Sequence, residues 1–219
     1  MEEMERLRND FAIDTAVEDL ARVAALLPRL RDKLKILEAA LAQITTAGLE
    51  EAQAPAASFP YIPLDLADFF DCMFDLEAAL SADPDYADPD LRHRRVDLVE
   101  AGCGPGRNLF LLGATDRFEF RRLEGFDHAP ELIDQGRRVF GLGERIYGGD
   151  CNSFDYAPWD VVYFYRPFSD PDAQNDFEQY LVGKMRTGAY VIGCGHVGLD
   201  RDRRLLEKCG KGRIFKKLR

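Results

Sequence analysis

Cysteine is sparse in this chain and poorly placed for cross-linking. The five residues, Cys72, Cys103, Cys151, Cys194 and Cys209, are odd in number and far apart, with no C-x-x-C pair and no histidine at metal-ligand spacing. That pattern argues against a disulfide framework and against a zinc site, so free, reduced thiols and no metal are expected. Positive charge is also short: 29 Lys and Arg stand against 39 Asp and Glu, a net charge of -10. A nucleic acid is disfavoured as the main partner, because such binding depends on neutralising phosphates with cations. No apolar run approaches the length of a membrane span, and Met1 to Asp10 lacks the basic start and apolar core of a signal peptide. A cytoplasmic protein without a membrane partner is the expectation. Basic residues do gather at Arg92, Arg94 and Arg95, and at Lys208, Lys211, Arg213, Lys216, Lys217 and Arg219. Each cluster reads as a solvated face or as a patch for an anionic substrate or partner.

The sequence does contain abundant periodic apolar residues. From Thr15 to Thr46, Val17, Leu20, Val23, Ala24, Leu27, Leu30, Leu34, Leu37, Leu41 and Ile44 recur at three- and four-residue steps. This predicts a long amphipathic helix, bent near Pro28. Its stripe needs cover, from the chain's own catalytic domain, from a second copy in a homodimer, or as a lid. A linker rich in Ala and Pro follows to Pro63, then a second helix over about 64–80 with a bulky face of Leu66, Phe69, Phe70, Met73, Phe74 and Leu76. Residues 1–90 are thus read as a helical extension, and 91–219 as the main domain.

In that domain short apolar strands alternate with helices, the signature of a doubly wound, mostly parallel α/β sheet. Strands are expected at Val96 to Ala101, Leu123 to Asp127, Arg145 to Tyr147, Val161 to Tyr165 and Ala189 to Cys194. Helices are expected at Asn108 to Gly113, Pro130 to Phe140, Pro171 to Lys184 and near Arg201 to Lys208, with a closing strand at Arg213 to Leu218.

The first strand runs into Glu100-Ala101-Gly102-Cys103-Gly104-Pro105-Gly106. Glycines there let the backbone turn sharply and approach a ligand closely. A dinucleotide fingerprint fails on spacing, since its third glycine would fall at Arg107 or Leu109. Pro105 lacks an N–H for a phosphate, and no G-K-[ST] follows. Asp127 ends the second strand, in Gly125-Phe126-Asp127-His128, where a carboxylate can accept both ribose hydroxyls of a nucleoside; the bland reading is a helix N-cap before Pro130.

The acidic-x-G-x-G-x-G run resembles the class I, Rossmann-like methyltransferases that use S-adenosyl-L-methionine, over roughly Arg95 to Cys194. The resemblance implies that Gly102, Cys103, Gly104 and Gly106 wrap the methionine end of the cofactor and that Glu100 faces its ammonium group. It also implies that Asp150, in Gly148-Gly149-Asp150-Cys151, receives the adenine amino group, with the Cys151 N–H on the ring; His128, beside Asp127, is read as packing near the adenine or ribose. Relative to that family, the tail after the fifth strand is short for the usual closing strand pair.

The fourth strand ends in Tyr165-Arg166-Pro167-Phe168. Strand ends open on the ligand crevice, so Tyr165 and Arg166 should lie near the transferable methyl group. In the family's amino-methylating nucleic-acid enzymes this site carries Asn or Asp before two prolines and an aromatic; that residue is missing here, which disfavours a base amine as acceptor. His196, in Gly193-Cys194-Gly195-His196, is the candidate base, with a plain loop histidine as the alternative. The expected function is methyl transfer to a small, anionic acceptor selected by Arg166, or else non-catalytic cofactor binding that assists a partner; a Rossmann-type oxidoreductase is the remaining class.

Overall fold

The computed structural model describes residues 35–43, 58, 62, 64–115, 118–201, 203–210 and 212–219. Residues 35–43 are helical (α1); the rest of the long helix expected from Thr15 to Thr46 lies outside the described residues, as does its Pro28 bend. No described helix is long and apolar enough to cross a membrane.

From Leu64 onward the elements run α2 (Leu66–Ala82), β1 (Val96–Ala101), α3 (Arg107–Gly113), β2 (Phe120–Asp127), α4 (Pro130–Phe140), a 3-10 turn (Gly143–Arg145), β3 (Ile146–Gly148), β4 (Val161–Tyr165), α5 (Pro171–Lys184), β5 (Tyr190–Cys194), β6 (Leu206–Cys209) and β7 (Ile214–Lys217). The seven strands lie in the order β3-β2-β1-β4-β5-β7-β6. The first five are parallel, and β7 enters antiparallel to both β5 and β6. This is the Rossmann-like methyltransferase fold. The order reverses between β1 and β4, the switch point at which doubly wound sheets open a ligand crevice.

The tail corrects one expectation. The described residues near Arg201 to Lys208 do not form a helix: they turn into β6, so the closing pair is complete. Gly210 and Gly212, with φ of +61° and +106°, turn the chain so that Cys209 pairs with Ile214. Alternating residues flanking a short glycine turn form a hairpin. The basic tail is largely used internally. Lys217 is buried and donates from Nζ to the carbonyls of Val182 at 2.6 Å and Met185 at 2.5 Å, closing the end of α5. Lys216 pairs with Asp83 at 2.6 Å, and Lys208 with Asp200 at 3.0 Å.

Alternation along the central strands separates two faces. Val99, Ala101, Val162, Phe164 and Val191 point to the core shared with Phe177 and Leu181 of α5. Leu98, Glu100, Tyr163 and Cys194 occupy the other face. There Phe69 of α2 meets the Tyr163 ring edge-on at 5.7 Å, although α2 falls inside the segment read as an extension. At the strands' N-terminal edge, Asp97 takes a bidentate Arg121 and a bond from Arg122, while Asp160 accepts the Asp97 N–H at 2.8 Å and pairs with Arg186. The carboxyl edge is thereby left for the site.

α4 approaches the glycine loop so closely that only glycine fits at its contact. A Cβ at Gly136 would lie 2.2 Å from the Pro105 carbonyl oxygen. Gly136→Ala is expected to destabilise the fold by about 1–3 kcal/mol through overpacking. Urea denaturation measures it, and an unchanged midpoint would show that the loop yields freely.

Candidate functional site

The loop Gly102 to Gly106 is built by positive φ at three glycines: Gly102 at +69°, Gly104 at +54° and Gly106 at +76°. Side-chain-bearing residues adopt such angles only under strain. The turn is held by its own amides. The N–H groups of Gly102 and Cys103 both donate to the Phe126 carbonyl at 2.9 Å. Gly104 N–H donates to Asp127 Oδ2 at 2.9 Å, and Gly106 N–H to the Cys103 carbonyl at 3.0 Å. With Pro105 carrying none, every loop N–H is engaged within the protein. A phosphate would find no donor in this loop.

One acceptor is left over. Glu100 is buried on β1; its Oε1 accepts from Asn108 Nδ2 at 2.7 Å, while Oε2 is buried with no hydrogen-bond partner. Burial raises its pKa from 4.5 to about 8, opposed by the Asn108 bond and the nearby Arg107 charge and aided by Asp127. Arg107, buried directly after the loop, donates from Nη2 to the Leu64 carbonyl at 2.6 Å. The lead-in to α2 thus touches both sides of the switch point, since Ser58 bridges to Phe168 after β4. Sequence reasoning missed Arg107 and Asn108; two polar residues opening a buried helix directly after a glycine loop were the available signal.

Asp127 has two tasks. Oδ2 holds Gly104, and Oδ1 accepts the Ala129 N–H at 2.9 Å and lies 3.3 Å from His128 Nδ1. The N-cap of α4 is Ala129, so Asp127 anchors the residue that caps the helix rather than capping it directly. Each carboxylate oxygen has a second lone pair for a ligand hydroxyl. Past β3, Gly149 N–H donates to the Asp127 carbonyl at 3.0 Å, bringing Gly148 to Cys151 beside β2. Asp150 is exposed and its Oδ1 accepts the Asn152 N–H at 3.0 Å; the Cys151 carbonyl accepts from the Tyr156 hydroxyl at 3.0 Å, and burial raises the Cys151 thiol pKa. His128, next to Asp127 at the end of β2, is 43% exposed in its side chain.

Tyr165 ends β4 half-buried, and Arg166 follows, exposed, with φ of +39°, the sole described non-glycine residue with positive φ. Its N–H donates to the Cys194 carbonyl at 3.0 Å, and its side chain lies where a Cβ on Gly195 would fall, at 3.1 Å. Strain at a strand end is the kind that functional sites store. His196 turns toward the β6–β7 hairpin: Nε2 is 3.4 Å from the Gly212 carbonyl and 3.8 Å from Asp200, and the ring meets Phe215 edge-on at 5.1 Å. Its Nδ1 is buried with no partner.

A third residue that sequence reasoning missed secures the loops after β4 and β5. Glu178 of α5 is buried and accepts the N–H groups of Val197 at 2.8 Å, Gly198 at 2.6 Å and Leu199 at 3.1 Å, plus Gln174 Nε2 at 2.9 Å. Gln174 Oε1 in turn accepts the Phe168 N–H at 3.1 Å. One buried pair therefore holds both the loop after β4 and the loop after β5. Among the described residues no group of three or more metal-binding side chains comes together.

No protein-family model matches the sequence, and neither does any of the curated proteins. Solved structures do resemble it. An RNA methyltransferase of Salinibacter ruber in complex with S-adenosyl-L-homocysteine is 16% identical over 71% of this chain and 92% of its own, with a TM-score of 0.45. An amino pentose methyltransferase of Micromonospora echinaspora is 18% identical over 62% of this chain and 58% of its own, TM-score 0.42. An MtNAS variant in complex with S-adenosylmethionine is 16% identical over 70% of this chain and 63% of its own, TM-score 0.49. The chain thus spans less than two thirds of the last two.

The buried Glu100 makes stability depend on pH. A carboxyl whose folded pKa lies above its unfolded value keeps a proton that the unfolded chain releases, so it weakens the fold as pH rises from about 4.5 to about 8. Glu100→Gln should therefore raise the Tm of the free protein at pH 8 and change it little at pH 4.5. Calorimetry at the two values checks this, and parallel Tm curves for the two proteins would overturn it.

Proposed function

We propose that this protein is an S-adenosyl-L-methionine-dependent methyltransferase. The observation that carries the reading is the imbalance at the glycine loop: its amides are all engaged, while the buried Glu100 Oε2 lacks a donor. Such a site rejects a pyrophosphate and asks for a cationic group, as the ammonium of an amino-acid end supplies. The residues fit the cofactor at further points. Gly102, Cys103, Gly104 and Gly106 give a surface of backbone without bulk. Asp127 has lone pairs for the ribose hydroxyls, Asp150 and the Cys151 N–H serve the adenine, and His128 borders the nucleoside.

When bound, S-adenosyl-L-methionine supplies a methyl group on a positively charged sulfur. Displacement there demands alignment more than acid-base work, so the protein's task is to hold the acceptor in line. Tyr165 and Arg166 do this from the end of β4. A guanidinium beside the transferable group selects a carboxylate or phosphate on a small acceptor, which suits an acidic protein acting on an anion. We route no proton through His196, whose polar contacts lie toward the hairpin. The absence of Asn or Asp at the end of β4 leaves a base amine without a holder.

Calorimetric titration with S-adenosyl-L-homocysteine, NADH and ATP tests the cofactor. Only the first should bind, and binding of NADH alone would end the proposal. Because the ammonium favours ionised Glu100, binding should release a proton near neutral pH. Affinity should fall up to about tenfold per pH unit below 8, a slope that Glu100→Gln removes. A pH-independent affinity in the unaltered protein would refute the assigned role of Glu100.

With an acceptor in hand, Arg166→Ala should raise its KM at least tenfold while S-adenosyl-L-homocysteine binding is unchanged. An unchanged KM would remove Arg166 from the acceptor site. Cofactor binding without transfer to any anionic small molecule would instead favour a non-catalytic binding module.

A further inference from the structure

Two of the five free thiols face each other across the sheet and α2. Cys72 Sγ, on α2, lies 3.6 Å from Cys194 Sγ, the last residue of β5, although 122 positions separate them in sequence. Both are buried. Bonded sulfurs stand about 2.0 Å apart, so the pair is some 1.6 Å from bonding distance. A guanidinium is aimed at one of the two: Arg213 Nη1 lies 3.4 Å from Cys72 Sγ, and Nη2 pairs with Asp68 at 3.5 Å. The Arg213 side chain is 43% exposed.

The two thiols are chemically unequal. The hydrogen bond with Cys194, helped by the Arg213 guanidinium and opposed by burial, holds the Cys72 thiol below its usual pKa. Cys103, buried, and Cys151, half-buried, have no cation beside the thiol among the described residues and are instead pushed up by desolvation. A thiol near a cation with a second thiol at hand is the arrangement of a reactive and a resolving cysteine.

We propose that Cys72 and Cys194 form a reversible disulfide when the protein meets a hydroperoxide. Cys72, having released its proton to solvent, attacks the terminal peroxide oxygen. The O–O bond breaks, giving a sulfenic acid at Cys72 and, once the leaving oxygen takes a proton, an alcohol or water. The Cys194 sulfur then attacks the Cys72 sulfur, the S–O bond breaks, and the hydroxyl leaves with the Cys194 proton as water. Two thiols are oxidised by two electrons in all, and the peroxide is reduced. The product staples α2 to β5 beside Arg166, whose N–H is held by the Cys194 carbonyl. This chemistry does not depend on the methyl-transfer reading.

The test treats the native, full-length protein with hydrogen peroxide, blocks remaining thiols with an alkylating agent and maps the peptides without reduction. The expected result is loss of two of five thiols, one linked peptide pair containing Cys72 and Cys194, recovery of both with dithiothreitol, and a higher Tm for the oxidised form. In Cys194→Ser, Cys72 should be trapped as a dimedone adduct, and Arg213→Met should slow disulfide formation severalfold. Cys72 recovered as an unmodified thiol, as an irreversible sulfinic acid, or linked to another cysteine would overturn the proposal. Because the peptide map is read on the unaltered protein, it decides the matter even where a variant fails to fold.

Discussion

The site depends on how the end of β2 seats the glycine loop. The Phe126 carbonyl takes two successive amides, and Asp127 takes a third on Oδ2 while Oδ1 holds the residue that caps α4. The loop, the next strand end and the entry of α4 are thereby one hydrogen-bonded unit. Gly136 lets α4 approach until it rests on Pro105, which closes the unit from the other side. Left-handed glycines are needed because only they turn the chain tightly enough to bring Gly102, Cys103 and Gly104 onto a single neighbouring strand.

That seating decides which ligands the site can serve. A loop whose amides are satisfied by its own scaffold is rigid and offers no donors, the reverse of a phosphate cradle. Its remaining unmet need is an acceptor, Glu100 Oε2, in a place where burial raises the carboxyl's pKa. Burying an acid with one oxygen unpaired weakens the free fold. Under the proposed function the same cost becomes affinity for a cation, since ligand binding relieves a penalty already present in the free state.

Much of this was legible in the sequence, and the misses have physical reasons. β1, β4, α4 and α5 carry their limits in the residues themselves: apolar runs that stop at Gly102 and Arg166, and Pro130 and Pro171 at the first helical position. The glycine spacing already excluded a dinucleotide. β6 was obscured because Leu205 and Leu206, among charges, suit a helix as well as an edge strand, and pairing with β7 decides the matter only in three dimensions. Arg107, Asn108 and Glu178 resemble ordinary helix-surface residues in sequence. Nothing local shows that Glu178 will be met by the N–H groups of Val197, Gly198 and Leu199, some twenty positions on.

The loops after β4 and β5 are organised differently from the glycine loop. Where Asp127 holds backbone from a strand end, Glu178 reaches from a helix beneath, so the loops after β4 and β5 are tied to α5 through Gln174 and Glu178. That leaves Tyr165 and Arg166 between two fixed points, the Cys194 carbonyl and the Phe168 amide. A non-glycine residue persists at φ of +39° only when its surroundings hold it there, and these bonds do so. The strain at Arg166 is thus a result of anchoring on both sides, and it fixes where the guanidinium starts out from the strand end.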